Sequence, residues 1–314
     1  MSATHPLTSY DAVVIGGGPA GLQAALTLGR MHRRVLLLDS GEYRNATAEH
    51  MHNVVTNDGR PPAEFRAAAR AELAAYATVT VREDTATAVV PDGDGYRVEL
   101  GADAVPARAV LLATGLRDTL PAVPGLEPLF GTVAAVCPYC HGHELSGKPV
   151  AVLGSGPHVT RVAFLLERIA SRLTVLADGG DLDVDTATLL ADAGVAVRPE
   201  PVKELVRSAD GATVRFADGP DEEVGGIFVA AEFGQRAPFA EQLGLDLLPS
   251  GAVGVDAMAR TSRPGVFAAG DMAHTAAMPG PMASVLMAAA AGQLAAVSLD
   301  AELLGRDHPA PTPA

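Results

Sequence analysis

The sequence predicts an α/β fold built from two Rossmann-like three-layer units. Three observations carry that expectation. A strand, a glycine-rich turn, a helix and a second strand succeed one another over residues 10–39. The same succession returns from residue 149. At 314 residues with 48% hydrophobic content, the chain has material for two cores.

The elements follow in order. Residues 11–15, Asp-Ala-Val-Val-Ile, are short, apolar and rich in β-branched side chains, so a buried strand is expected. Gly16-Gly17-Gly18-Pro19-Ala20-Gly21 comes next, and residues 22–30 then place Leu22, Ala25, Leu26 and Gly29 on one helical face. A second strand at 35–38 ends in Asp39. An Ala-rich helix over 61–76, β segments at 79–81, 86–90 and 97–100, and an apolar strand at 109–113 follow. That strand ends in Thr114-Gly115, and Pro121, Pro124 and Gly125 mark a linker. The second copy reads strand 150–153, turn Gly154-Ser155-Gly156, helix 161–170 and strand 173–176. Further β segments are expected at 202–207 and 213–216, with a closing strand at 227–231. After Leu243 the chain reaches the run 261–271, then a helix from about Met282 to Leu304. The tail from His308 holds three prolines and is expected to be loose.

Charge and composition narrow the function. With 23 basic and 37 acidic side chains the net charge is −14, which disfavours polyanionic partners such as nucleic acid or an anionic membrane surface. Aromatics are only 4% and Trp is absent, so base-stacking platforms are not expected either. No run of about 18 apolar residues suggests a membrane span. Residues 1–10 lack the basic-then-apolar order of a signal peptide, so a cytoplasmic enzyme is expected. Two cysteines exclude a disulfide scaffold. They are Cys137 and Cys140, and such a CxxC pair reads as redox or metal chemistry.

Gly16, Gly18 and Gly21 form G-x-G-x-x-G in the strand–turn–helix context a dinucleotide fingerprint requires. Gly16 permits the tight turn, Gly18 lets a pyrophosphate approach, and Gly21 allows close helix–strand packing. Asp39 stands where an acid can hold a ribose hydroxyl; the alternative is a glycine-rich turn with no ligand. Gly270 allows a sharp strand exit and exposes Asp271 at the end where ligands sit in such sheets, although a plain turn explains the pair equally well. The second turn carries Val159 where a small residue is usual, and a β-branched side chain there should push the helix off the strand. Ala177-Asp178-Gly179-Gly180 offers no Arg for a 2′-phosphate, so an NADPH site is poorly supported. An NADH site or a domain kept only for structure both stay open.

In Cys137-Pro138-Tyr139-Cys140-His141-Gly142-His143-Glu144, Pro138 suits the first position of a helix. Cys137 would then sit at the helix N-terminus, where the dipole favours a thiolate. Neutral His141 or His143 can accept a thiol proton near neutral pH. A zinc site is disfavoured, because four ligands within seven residues are too compact for two paired arms; an inert thiol pair is the other alternative. His50 and His52 either line a site mouth or are ordinary loop histidines. The methionines at 258, 272, 278, 282 and 287 read mainly as core filling.

With these motifs in place, the chain resembles the thioredoxin-reductase-like family of FAD-dependent disulfide oxidoreductases. The resemblance rests on residues 16–21, Ala113-Thr114-Gly115, the CxxC pair, the turn at Gly154 and residues 265–271. It implies FAD in a discontinuous domain of residues 1–117 and 245–314. An NAD(P)-binding-like domain of residues 118–244, carrying the CxxC, would be inserted into it. It implies cofactor contacts at Gly16, Gly18, Pro19, Ala20, Gly21, Asp39, Asn57, Asp58, Thr114, Gly115, Gly270, Asp271, Met282 and Ala283, with no metal, and it implies a homodimer.

Two departures matter. His141 stands where those reductases carry an acid, and residues 177–180 lack their basic cluster. Cys-Pro-Tyr-Cys-His-Gly instead resembles the dithiol oxidases of gliotoxin and holomycin pathways, which close disulfides in small natural products and pass electrons from FAD to O2. That resemblance implies catalysis by Cys137, Cys140, His141 and His143 on a small-molecule dithiol, with H2O2 as by-product. The alternatives are an NAD(P)H-dependent reductase serving a thioredoxin-like protein, and a flavoprotein that binds without turnover.

Overall fold

The computed structural model describes residues 9–309, so most of the N-terminal stretch and of the proline-bearing tail lies outside the described residues. The chain opens with β1 (Tyr10–Ile15), α1 (Pro19–Arg30), β2 (Val35–Asp39), α2 (Pro62–Leu73) and β3 (Val79–Glu83). It continues with β4 (Ala88–Asp92), β5 (Gly95–Leu100), β6 (Asp103–Leu112) and β7 (Leu116–Thr119). Next come β8 (Ala134–Ala135), α3 (Pro138–His141), β9 (Pro149–Leu153), α4 (His158–Leu166), β10 (Arg172–Leu176), α5 (Val184–Asp192) and β11 (Ala196–Arg198). Then follow β12 (Val202–Arg207), β13 (Ala212–Phe216), β14 (Glu222–Val224), β15 (Gly226–Val229) and β16 (Glu232–Gln235). The last elements are α6 (Phe239–Gln242), β17 (Val253–Val255), β18 (Val266–Ala268), β19 (Ala273–Thr275) and α7 (Val285–Asp307).

The chain divides into two compact units. The first holds Met1–Arg44, Ala63–Arg117 and Phe233–Ala314; the second holds Asn45–Pro62 and Asp118–Glu232. The sequence reading returned the chain to the first domain only at 245. The observed return is earlier because Phe239, Ala240 and Leu243 are buried in the first unit's core beside Val13 and Ile15. The capture of residues 45–62 by the second unit was not foreseen.

In the first unit, β3, β2, β1 and β6 run side by side in parallel, β18 joins β6 in parallel, and β5 and β4 extend the sheet antiparallel. Burial on both faces explains why β1 and β2 read as continuous apolar runs. Leu22, Ala25 and Leu28 of α1, with Ala295 and Leu299 of α7, cover one face. Phe239 and Leu243 belong to the cluster on the other.

Small residues bring α1 and α7 together: a Cβ on Gly292 would lie 2.0 Å from the carbonyl oxygen of Ala20. α7 is long and apolar enough to cross a membrane by length and hydropathy alone. Its buried face nevertheless packs into this core, and its Asp300 pairs with Arg33 at 2.6 Å, as a core helix does.

The second unit carries a parallel sheet in the order β11-β10-β9-β15-β8. Val159, Ala163 and Leu166 of α4 and Leu190 of α5 are buried in one core cluster with Val150, Val152 and Val175. On the other face the antiparallel β12-β13-β14 sheet contributes Leu205, Val214 and Val224 to a second cluster. Both units are therefore three-layered. Val159 does not hold its helix away, because its side chain is fully buried within the first of these clusters.

Candidate active site

The carboxyl ends of β1, β2, β6 and β18 share one edge of the first sheet, because these strands are parallel and in register. Gly16, Asp39, Thr114-Gly115 and Gly270-Asp271 all fall at that edge. Gly16 has φ +119°, and a Cβ there would meet the Ala113 carbonyl oxygen at 2.2 Å, so only glycine fits. A Cβ on Gly21 would meet the Gly16 carbonyl oxygen at 1.8 Å. Gly18 is different: nothing lies within 4 Å of its Cβ position. It caps α1 in an extended conformation with no side-chain cap, and Pro19 opens the helix. The helix N–H groups thus face open space, the arrangement that accepts a pyrophosphate. The cradle at this sheet edge fits the phosphates of a dinucleotide such as FAD.

Several neighbours of that cradle were not legible. Asp271 is ion-paired with Arg44 at 2.9 Å. Asp39 is buried, and its carboxylate accepts hydrogen bonds from the Tyr43 hydroxyl at 2.7 Å, the Gly41 N–H at 3.0 Å and Arg70. The acid expected to meet a ribose is therefore engaged by its own loop and by α2. Burial and the neighbouring Asp39 carboxylate push the Tyr43 hydroxyl up to about 12. Gly17 proves as constrained as its motif partners, since its Cβ would lie 1.9 Å from Asp39 Oδ2.

Asn57 and Asp58 belong to the second unit and fasten their own loop. Arg60 donates to Asn57 Oδ1 at 3.0 Å, and the Asn53 N–H donates to Asp58 Oδ1 at 2.6 Å. Met282 and Ala283 precede α7 rather than starting it, because Ser284 caps the helix by accepting from the Met287 N–H at 3.1 Å. Met282 is exposed.

Within the second unit, Cys137 and Cys140 form a disulfide with Cα atoms 5.3 Å apart, inside the usual range. Cys137 is the extended N-cap of α3, and Pro138 is its first residue, as expected. The helix is only four residues long, so its dipole is small. Gly142 seats this turn: a Cβ there would lie 2.5 Å from the Pro138 carbonyl oxygen and 3.3 Å from Leu166 and Ile169. The two histidines differ sharply. His143 is exposed. His141 has both ring nitrogens buried without a well-formed hydrogen bond, and that burial holds its pKa below the ordinary histidine value against the opposing pull of Glu144 and of the Cys137 backbone.

The turn at Gly154 tests whether a pyridine dinucleotide fits the second unit. The His158 ring stands over it, with Nε2 3.1 Å from the Leu153 carbonyl oxygen, and a Cβ on Gly154 would meet His158 Cε1 at 3.0 Å. Ser155 Oγ lies 2.2 Å from the Cβ position of Gly180. Asp178 turns its carboxylate to the Val202 N–H at 2.7 Å. His158 and Asp178, the groups nearest this turn, are thus engaged by the chain's own backbone.

A phosphate-accepting α/β unit joined to a second α/β unit with a redox-type disulfide defines a flavin-linked thiol–disulfide oxidoreductase. The family model described as pyridine nucleotide-disulphide oxidoreductase matches residues 10–293, and the chain belongs to that family. It is an FAD-dependent enzyme similar to thioredoxin reductases. The thioredoxin reductase tcpT of Claviceps purpurea is 34% identical over 313 residues, covering 94% of this chain and 96% of its own. The thioredoxin reductase sirT of Leptosphaeria maculans is 33% identical over 325 residues, covering 97% of each. Among solved structures, HlmI superposes with a TM-score of 0.86 at 34% identity, over 95% of this chain and 94% of that one.

Proposed function

We propose that this enzyme oxidises a small-molecule dithiol to its disulfide and delivers the electrons to O2, giving H2O2. The observation that carries this reading is the turn at Gly154. His158 stands over it and Asp178 is held by the Val202 N–H, which favours a thiol over a pyridine nucleotide as the source of electrons. A substrate thiolate attacks Cys137 and Cys140 leaves as a thiolate; the substrate's second thiolate then displaces Cys137 and the cyclic disulfide departs. The second displacement is intramolecular and entropically favoured. His141 takes the substrate proton, a role its half-buried ring suits better than the exposed His143. The cradle residues Gly16, Gly18 and Gly21 would hold FAD, which supplies the two-electron step between the reduced cysteine pair and O2.

The names of the relatives, thioredoxin reductases, favour a second reading, reduction of a thioredoxin-like protein by NAD(P)H. Anaerobic mixing of the yellow holoenzyme with NADPH and then NADH separates the two. The expected result is no prompt flavin bleaching by either nucleotide, together with O2 uptake on dithiothreitol alone. Prompt bleaching by a pyridine nucleotide overturns the oxidase reading. The proposed setting is the cytoplasm. The proposed assembly is a homodimer, supported by Leu286, Leu294, Val297 and Leu304, which form an exposed apolar stripe along α7.

A further inference from the structure

Resting on that reading, we infer that Glu144, held by His52, is a positioning residue that supplies the counter-charge for His141 during thiol exchange. His52 comes from residues 45–62, far from the CxxC in sequence but in the same compact unit. Its loop is closed by the Met51–Arg60 bridge and by the Asn53 N–H bond to Asp58. This closure presents His52 Nδ1 3.5 Å from Glu144 Oε1 and 3.8 Å from Asp58 Oδ2, the two carboxylates that share it. Glu144 follows His141 by one tight turn, since α3 runs through Gly142 into the 3-10 turn His143–Leu145. His52, His141 and Glu144 all line one cavity of about 350 Å³.

The chemistry requires such a group. The proton lost from each attacking thiol must reside on a base near the sulfurs, and an imidazole gains a positive charge when it takes that proton. His141 is half-buried with both ring nitrogens shielded from solvent, and that burial opposes the charged form. A carboxylate beside it offsets that cost. Glu144 raises the basicity of His141 while a charged His52 lowers it, so the carboxylate must be present and aimed. His50, Glu49, Lys148, Arg207 and Asp210 complete the charged lining of the cavity. Of the cavity's charged groups, Glu144 is the carboxylate that acts on His141.

The side chain of Glu144 is 40% exposed, so solvent screens the pair and the effect is moderate. The experiment is the pH dependence of anaerobic flavin bleaching by dithiothreitol in the holoenzyme. In the parent, the acid limb reports neutral His141. Glu144→Gln should move that limb to lower pH by about 0.5 to 1 unit and lower the plateau, as expected for loss of a partly screened opposite charge. The limb should also become less sensitive to salt. Glu144→Asp should restore most of the parent profile, and retained flavin with an unchanged melting temperature excludes misfolding. His141→Ala separates the two levels of inference. If it leaves the limb intact, the base assignment fails; if it abolishes the limb while Glu144→Gln leaves the parent profile unmoved, only the role of Glu144 falls.

Discussion

Gly292→Ala is the sharpest test of how the flavin cradle is held. In an isolated helix this substitution should stabilise by about 1 kcal/mol. Here the added Cβ would sit 2.0 Å from the carbonyl oxygen of Ala20, inside the first turn of α1. Carbon and oxygen ordinarily meet at about 3.3 Å, so α7 must retreat by about 1.3 Å. The atom it meets is backbone and cannot rotate away. Ala20 and Ala24 of α1 and Ala288 and Ala295 of α7, buried in the same cluster, are short and offer no long side chain to fill a gap between the helices. Overpacking of this kind costs about 1–3 kcal/mol, or somewhat more. A backbone contact this short puts the cost at the upper end, about 2–3 kcal/mol, so clash outweighs propensity with a net loss of about 1–2 kcal/mol and a fall in melting temperature of roughly 2–8 °C.

Because Ala20 lies two residues after Gly18, FAD should also dissociate faster. Flavin fluorescence on heating measures both effects. Gly305→Ala is the control: it lies in the same helix with nothing within 4 Å of its Cβ position, and it should leave stability unchanged or slightly raised. An unchanged melting temperature and unchanged flavin release in Gly292→Ala would refute the packing argument.

Cys140→Ser should keep FAD bound and abolish dithiol-dependent O2 uptake; retained turnover, measured with an oxygen electrode, contradicts the assigned leaving group. Asp307 ties α7 to Arg108 at 2.5 Å and Arg33 at 3.1 Å, and the Arg108 hydrogen bond first of all holds its carboxyl below the ordinary range. Its stabilisation is therefore fully present above the unfolded pKa of about 3.9 and lost as pH falls through the lower folded value. The melting-temperature gap between the parent and Asp307→Asn should be constant near neutrality and close only below about pH 4.

The first unit's nucleotide edge was readable because its signals are local. Continuous apolar strands, glycines at fixed offsets and an acid at a strand end all lie within about thirty residues, the span of one such unit. The CxxC turn was readable for the same reason, down to Cys137 as N-cap and Pro138 as first helical residue. What escaped was long-range or very short. The Arg44–Asp271 and His52–Glu144 pairs join residues that only the fold brings together. The three-residue strands β14, β17 and β19 are too short to show alternation. α5 did announce itself: Asp183 accepts from the Thr186 N–H, a local cap that the sequence spells out. Ser284 before α7 is a second overlooked cap, and reading it would have moved the helix start past Met282.

The chain's order of synthesis meets this layout awkwardly. α1 leaves the ribosome early, but α7, which lies over it, is the last helix made. Until α7 arrives, Ala20 and its neighbours on α1 lack the helix that packs against them and leave apolar surface open to other nascent chains. The second unit's sheet is complete well before that point. Truncations within α7 should accumulate as aggregates rather than as colourless monomers.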